Sequence, residues 1–388
     1  MRVRVDLGPR SYDIHIGVDT LPGLGQALSR ARLGRRALIV ADGNVANTHA
    51  PLAASALHAA GISAHLVVVP PGEATKSLAG AERLYDTCLD CGLDRGSFIV
   101  ALGGGVAGDL AGFVAATYMR GIAWVQVPTT LLAQIDASVG GKVAVDHPRG
   151  KNLIGAFHQP RLVWCDVRTL DTLPAPDLAA GMAEAVKHGI LGDPRYYGFV
   201  RRRQADLLGR DPQALVRLVA GSCRIKAAVV SGDEREEMAP DPAAPAPGTP
   251  LRGGRGPGVG AVPRSRMVLN LGHTLGNNME AVAGYGTLRH GEAVSIGLVA
   301  AGRLALLHGL WSRRWQTDLE GTLGGLGLPT RIPGLALADL LTAMRVDKKA
   351  VGGTARWILP VRPGTVAVHT DVTGEEVAAV LTGMGAEG

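Results

Sequence analysis

Residues Phe98 to Asp109 constrain this chain more than any other stretch. An apolar run of strand length, Phe98-Ile99-Val100-Ala101-Leu102, meets three consecutive glycines, Gly103 to Gly105, and then Ala- and Leu-rich sequence of helical character. Gly103, Gly105 and Gly108 satisfy G-x-G-x-x-G in the strand–turn–helix setting that the fingerprint requires. Residues without side chains let the backbone approach a pyrophosphate, and a helix N-terminus offers unpaired N–H groups with a partial positive charge. The motif points to a dinucleotide site; a tight glycine turn without a ligand satisfies the same spacing.

The flanking sequence sets this motif in an α/β frame. Ala37–Ala41 reads as a buried strand ending at Asp42, and His65–Val69 as another, followed by the turn Pro70-Pro71-Gly72-Glu73. Ala123–Val127 and Arg161–Asp166 continue the series, and Met1–Leu7 alternates like a strand. Short apolar strands separated by helices imply a doubly wound, largely parallel, Rossmann-like sheet, in which ligands bind beyond the carboxyl ends of the strands. Asp42, Glu73, Gly104 and Thr129 each follow a strand and are expected to face one crevice. From about residue 179 the pattern turns helical, over 177–190, 213–230, 275–282 and 291–310, with a short strand at 357–361. The 388 residues thus divide into an NAD-type α/β domain, 1–178, and a mainly helical domain, 179–388. Between Glu237 and Arg266 stand seven prolines and six glycines. Such composition cannot offset the entropy of ordering, so 237–265 reads as a mobile surface insertion.

Composition excludes several classes. The net charge of +6 is spread along the chain, and Arg201-Arg202-Arg203 lacks stacking aromatics, so a solvated helix face fits better than a nucleic-acid surface. A basic balance suits a small anionic substrate. Four cysteines make no disulfide framework, and Cys88-x-x-Cys91, without a second such pair, reads as packing at a helix end closed by Gly92. The longest apolar region, around 97–117, contains Asp109 and too many glycines for a membrane helix. The N-terminus carries no signal-like apolar segment, so a cytoplasmic protein is expected.

Chemistry-bearing residues cluster in both halves. Glu184 and Lys187 share a helix face, which an exposed ion pair would also explain. His273 precedes a helix and His290 opens another. A carboxylate and two imidazoles form a common catalytic zinc set, although helix caps or packing histidines would give the same spacing. Thr129, Thr130, Asp136, Lys142, Lys151 and Asn152 make a dense polar stretch, suited to a phosphate or simply to a solvated loop.

Taken together, these residues resemble the 3-dehydroquinate synthase branch of the sugar-phosphate cyclase family. The likeness covers nearly the whole chain. It rests on Gly103–Asp109, Tyr118–Gly121, Val127–Gln134, Asp136–Lys142, Lys151–Gly155, Gly181–Lys187, Asp233–Glu236, Leu269–Thr274 and His290–Glu292. It implies a two-domain enzyme with NAD and a divalent metal, usually zinc, with cobalt as a substitute. The substrate would be 3-deoxy-arabino-heptulosonate 7-phosphate and the product dehydroquinate, the first carbocycle of the shikimate route. The implied sequence is transient oxidation, phosphate elimination, re-reduction, ring opening and aldol closure. Glu184, His273 and His290 fall at the metal positions. Asp42, Asn44, Glu73, Lys76, Gly104, Gly105, Val106, Asp109, Thr129, Thr130, Asp136, Lys151, Thr172, Leu173 and Asp177 fall at the NAD positions. Catalytic roles fall to Lys142, Lys187, Glu236, Asn270 and Asn277. Substrate contacts fall to Asn152, Lys226, Arg266, Lys348 or Lys349, and to Arg120, which the family supplies across a homodimer interface.

Lys226 and Arg266 match positions that bind the substrate carboxylate, which sedoheptulose 7-phosphate lacks; an unpaired cation there disfavours the neutral substrate. Two departures stand out. The family usually has histidine where this chain has Asn277, and an amide cannot carry a proton in the same way. The insertion 237–265 replaces only a few residues. A cyclase for sedoheptulose 7-phosphate or an amino analogue, a metal-dependent polyol dehydrogenase, and a nucleotide-binding paralogue without turnover remain as alternatives.

Overall fold

The computed structural model describes residues 1–237, 265–284, 286–346 and 356–388. Two compact units emerge, one of Met1–Pro174 with Arg210–Ala227, the other of Ala175–Gly209 with Ala228–Gly388. The first unit thus includes a segment from beyond residue 178. Arg210–Ala227 groups with the first unit because its side chains bond there: Cys223 Sγ lies 3.3 Å from the Gln134 carbonyl, and Lys226 Nζ pairs with Asp136 at 2.7 Å.

The first unit holds β1 (Arg2–Val5), β2 (Tyr12–Gly17), β3 (Arg36–Asp42), β4 (Ser63–Val69), β5 (Phe98–Gly103), β6 (Ala123–Pro128), β7 (Lys142–His147), β8 (Gly150–Phe157) and β9 (Leu162–Asp166). Its helices are α1 (Leu24–Ala31), α2 (Ala50–Ala59), α3 (Leu78–Asp90) and α4 (Gly105–Thr117). Seven strands make one sheet in the order β1-β2-β9-β6-β5-β3-β4, parallel except for β1 against β2. Every residue of β5 is buried, with no alternation, because both sheet faces are covered. Ala37, Ile39, Ala41, Phe98, Val100 and Leu102 pack into one core with α1 and α2; Leu38, Val40, Ile99 and Ala101 pack into the other with α3 and α4. This is the doubly wound α/β arrangement expected from the sequence.

One local expectation needs correction. β4 is not buried: it is an edge strand, with Leu66 44% and Val68 48% exposed. The polar stretch from Thr129 to Asn152, for which a solvated loop is one of two readings, ends in an antiparallel hairpin, β7 against β8. Its apolar face docks on α4, where a Cβ on Gly112 would come within 2.4 Å of Val143. The Cys88 thiol is buried in α3, and burial pushes its pKa up to about 12, so it packs rather than reacts.

The second unit is mainly helical. α5 (Ala175–Gly192), α6 (Pro194–Arg202) and α7 (Gln204–Leu208) precede α8 (Pro212–Gly232), whose last turn belongs here. α9 (His273–Ala283), α10 (His290–Leu307), α11 (Arg313–Gly325) and α12 (Leu337–Val346) follow, then the hairpin β10 (Trp357–Arg362) and β11 (Thr365–His369), and α13 (Gly374–Gly383). α10 is the core helix. It is long and apolar enough to cross a membrane by length and composition, but 72% of it is buried inside the fold, which accounts for its apolar circumference. Arg201, Arg202 and Arg203 lie exposed at the end of α6.

Candidate active site

In the first unit the connection reverses direction between β3 and β5: β4 lies on one side of β3, and β5, β6 and β9 on the other. Ligands bind at the carboxyl edge of such a switch point. Asp42 ends β3 there and Gly103 ends β5. The two backbones approach so closely that a Cβ on Gly103 would lie 2.9 Å from the Asp42 Cβ, and Gly103 adopts a φ of +159°. Gly108 packs α4 on β6, since a Cβ there would meet Gln126 at 2.9 Å. The Cβ position of Gly105 is open, with nothing nearer than 3.6 Å. No side chain caps the N-terminus of α4. Tight turn, open central glycine and close helix–strand contact are the three properties a pyrophosphate cradle needs.

Around this edge stand further polar groups. Asp42 accepts from the Asn44 amide at 2.8 Å. Thr129 donates its amide to the Gly103 carbonyl at 2.9 Å, and Thr130 Oγ1 accepts from the Ala133 amide at 3.1 Å. Lys76 is buried yet paired to Asp109 at 2.6 Å and to Glu73 at 3.6 Å, and it donates to Asn152 Oδ1. Burial works against its ammonium, but Asp109, Glu73 and Asp146 outweigh that and raise its pKa above the usual lysine value. Asn152 adopts a left-handed φ of +57° and donates its amide to Asp146 at 2.8 Å.

In the second unit, three helices bring one carboxylate and two imidazoles together. Glu184 sits mid-α5, fully buried, and forms a buried ion pair with Lys187, not the exposed pair that spacing alone allows. His273 is the first residue of α9 and His290 the first of α10. Their Nε2 atoms lie 3.5 and 3.6 Å from Glu184 Oε1. A tetrahedral cation about 2.1 Å from each donor holds neighbouring donors about 3.4 Å apart. Each imidazole is oriented from behind: His273 Nδ1 by the Leu271 carbonyl at 3.2 Å, His290 Nδ1 by Glu280 Oε1 at 2.7 Å. Such partners fix the tautomer and turn Nε2 toward a metal. Burial lowers the pKa of His290, but hydrogen bonds to Glu184 and Glu280 win and lift it to about 10.

Close backbone contacts hold these helices. A Cβ on Gly291 would come within 1.9 Å of the Ala180 carbonyl of α5, and one on Gly297 within 1.9 Å of the Gly272 carbonyl at the start of α9. Beside them, Asn270 donates to Glu236 Oε1 at 3.0 Å. The buried Arg266 donates from its guanidinium to the Glu234 carbonyl at 2.6 Å. Both oxygens of Asp233 are used, one by the Glu237 amide and one by the Arg266 amide, each at 2.9 Å.

Comparison with known proteins identifies the family. Residues 66–180 match the family described as 3-dehydroquinate synthase N-terminal, and 181–240 with 263–350 match 3-dehydroquinate synthase C-terminal. The 3-dehydroquinate synthase of Desulforamulus reducens is 44% identical over 98% of this chain and 99% of its own length; that of Symbiobacterium thermophilum is 47% identical over 96% and 98%. The chain belongs to the 3-dehydroquinate synthase family. Among solved structures, 2-epi-5-epi-valiolone synthase from Streptomyces hygroscopicus, with NAD+ and Zn2+ bound, is similar with a TM-score of 0.83 and 26% identity over 96% of each chain. A 2-deoxy-scyllo-inosose synthase, with a TM-score of 0.81 and 23% identity over 98% and 99% of the two chains, shares the fold.

Against the residues this family resemblance implies, the structure gives a mixed distribution. Glu184, His273 and His290 stand together. Asp42, Asn44, Glu73, Lys76, Thr129 and Thr130 lie at or after the carboxyl ends of parallel strands, Gly104, Gly105 and Val106 open α4, and Asp109 lies in its second turn. Asp136 is paired with Lys226, and Thr172 Oγ1 with His49 Nε2 at 3.0 Å. Asp177 belongs to the second unit, where it pairs with Arg289 at 2.9 Å. Asn277 lies on the exposed face of α9. Lys348, Lys349 and 238–264 lie outside the described residues. Sequence reading missed Glu280 and Asp146. Glu280 follows His273 by seven residues, two helical turns, so the same-face spacing was a usable signal. Asp146 had none, because its role depends on the hairpin's register.

Proposed function

We propose that this chain converts 3-deoxy-arabino-heptulosonate 7-phosphate to 3-dehydroquinate and inorganic phosphate, a carbon–oxygen lyase reaction without net oxidation. The convergence of Glu184, His273 and His290 carries this reading, in a chain 44% and 47% identical to 3-dehydroquinate synthases. When bound, NAD+ supplies the transient oxidation, and the cation supplies Lewis-acid stabilisation of oxyanion charge.

The chain's own residues provide binding and order. The first unit holds the dinucleotide, with main chain at Gly104, Gly105 and Val106 for the pyrophosphate and Asp42 as an acceptor for a hydroxyl. Glu184, His273 and His290 hold the cation; two imidazoles and a carboxylate suit zinc, with cobalt as a substitute. As candidates we assign, within the first unit, Lys142 and Asn152 to the substrate phosphate and Lys226 to its carboxylate, and, within the second, Lys187 and Asn270 to the phosphate and Arg266 to the carboxylate. We assign Arg120 to the site of a neighbouring subunit in a homodimer. It is exposed, and its turn keeps φ of +50°, +69° and +112° at Met119, Arg120 and Gly121, a strained backbone of the kind retained at functional sites.

The test is phosphate release from the heptulosonate phosphate, with sedoheptulose 7-phosphate in parallel. Chelation and Glu184→Ala are each expected to abolish it. Undiminished release after either removes the cation assignment, and preference for sedoheptulose 7-phosphate removes the substrate.

A further inference from the structure

At the far end of α10 lies a second group of imidazoles and carboxylates. His290 opens that helix and His308 follows its last residue, so the two are separated by about 27 Å along the axis at 1.5 Å per residue. His308 is nine-tenths buried, and its ring lies 5.6 Å from that of the buried His369, the last residue of β11. Asp371, half exposed, stands between them. His369 Nδ1 is 3.0 Å from Asp371 Oδ1, and His308 Nδ1 is 3.9 Å from Asp371 Oδ2. One ligand atom from each of the three lies within 4.8 Å of the others. On the other side of the His308 ring, Nε2 faces Glu376 Oε1 at 3.4 Å.

The spacing is informative. At 3.9 Å, His308 Nδ1 is beyond hydrogen-bond reach of the carboxylate it faces. The two imidazoles face the two different oxygens of Asp371, His369 at hydrogen-bond distance and His308 beyond it, with one ligand atom from each residue within 4.8 Å of the others. Glu376, fixed at the start of α13 by a capping box with Thr373, favours the proton on His308 Nε2 and leaves Nδ1 with its lone pair toward Asp371. We propose that His308, His369 and Asp371 form a second divalent-metal site, of the zinc class, with Glu376 orienting His308 and water completing the shell. Two imidazoles select zinc-like cations over magnesium or calcium. A cation there joins the end of α10, the end of β11 and the approach to α13, so its role is structural. This inference is independent of the reaction proposed above.

The experiment is titration of tag-free, metal-stripped protein with Zn2+ against a chromophoric chelator, with the unfolding midpoint followed in parallel. The intact chain is expected to take up two equivalents. Glu184→Gln should keep one equivalent and still gain unfolding temperature with Zn2+. His369→Gln and Asp371→Ala should each keep only the other; Asp371 is half exposed, so its replacement leaves the fold in place. Zinc uptake that is unchanged from the intact chain in both His369→Gln and Asp371→Ala overturns the proposal, whatever the total taken up.

Discussion

Glu280 illustrates how much one side chain outside the ligand set decides. Its carboxylate accepts from His290 Nδ1 and so turns Nε2 toward Glu184. Replacing such a partner weakens metal binding by about 10–100-fold. Glu280→Ala is therefore expected to lower cation affinity by about that factor, with Glu280→Gln, which still offers an acceptor oxygen, losing less; chelator competition measures both. Asn277 makes the opposite test. It lies one turn beyond His273 on the exposed face of α9, and its amide cannot carry a proton as an imidazole does. If proton handling is limiting there, Asn277→His raises kcat in phosphate release while leaving cation uptake unchanged.

Among elements, α10 controls the site because its glycines let it touch α5 and the start of α9. Gly291→Ala and Gly297→Ala each place a methyl group against a backbone carbonyl that cannot step aside. Each is expected to cost about 1–3 kcal/mol in denaturant unfolding, as overpacking does, and to reduce cation uptake by separating His290 from Glu184. The sequence made most elements legible, since β3, β5, β6, β9, α4, α5 and α8 to α10 carry unambiguous apolar patterns. What it hid depends on neighbours. The strand 63–69 reads as buried because its composition is apolar, but strand order puts it at the edge. The hairpin at 142–157 reads as polar because one of its faces is. The ion pair of Glu184 and Lys187 reads as exposed, since spacing reports a shared face and not what covers it. The site was legible where residue type decides, as for the three metal candidates, and illegible where register does, as for Asp146.

At the scale of the molecule, imidazoles with shifted pKa values contribute to the response to acid. Those of the first unit oppose His290, whose raised value favours the folded state as pH falls. Burial holds His15, His49 and His158, all in the first unit, below the usual histidine value. The unfolded chain takes up protons near pH 6.5 that these folded sites refuse, so stability falls as pH drops below that value and continues down to the folded pKa values. Urea midpoints are expected to decline between pH 7 and 5, and replacing His158 by Gln should flatten that decline. Asp233 bears on the length of the chain itself. Because residues 237 and 266 share one carboxylate, the two described flanks are tied together at a single anchoring point. Doubling a closed loop costs only about 0.6 kcal/mol, so such a point tolerates lengthening and shortening alike. Excising 238–264 in favour of a short turn is expected to preserve turnover, whereas Asp233→Ala should make turnover sensitive to how long that excursion is. A single acidic side chain would then be what allows evolution to graft sequence onto this scaffold without disturbing its chemistry.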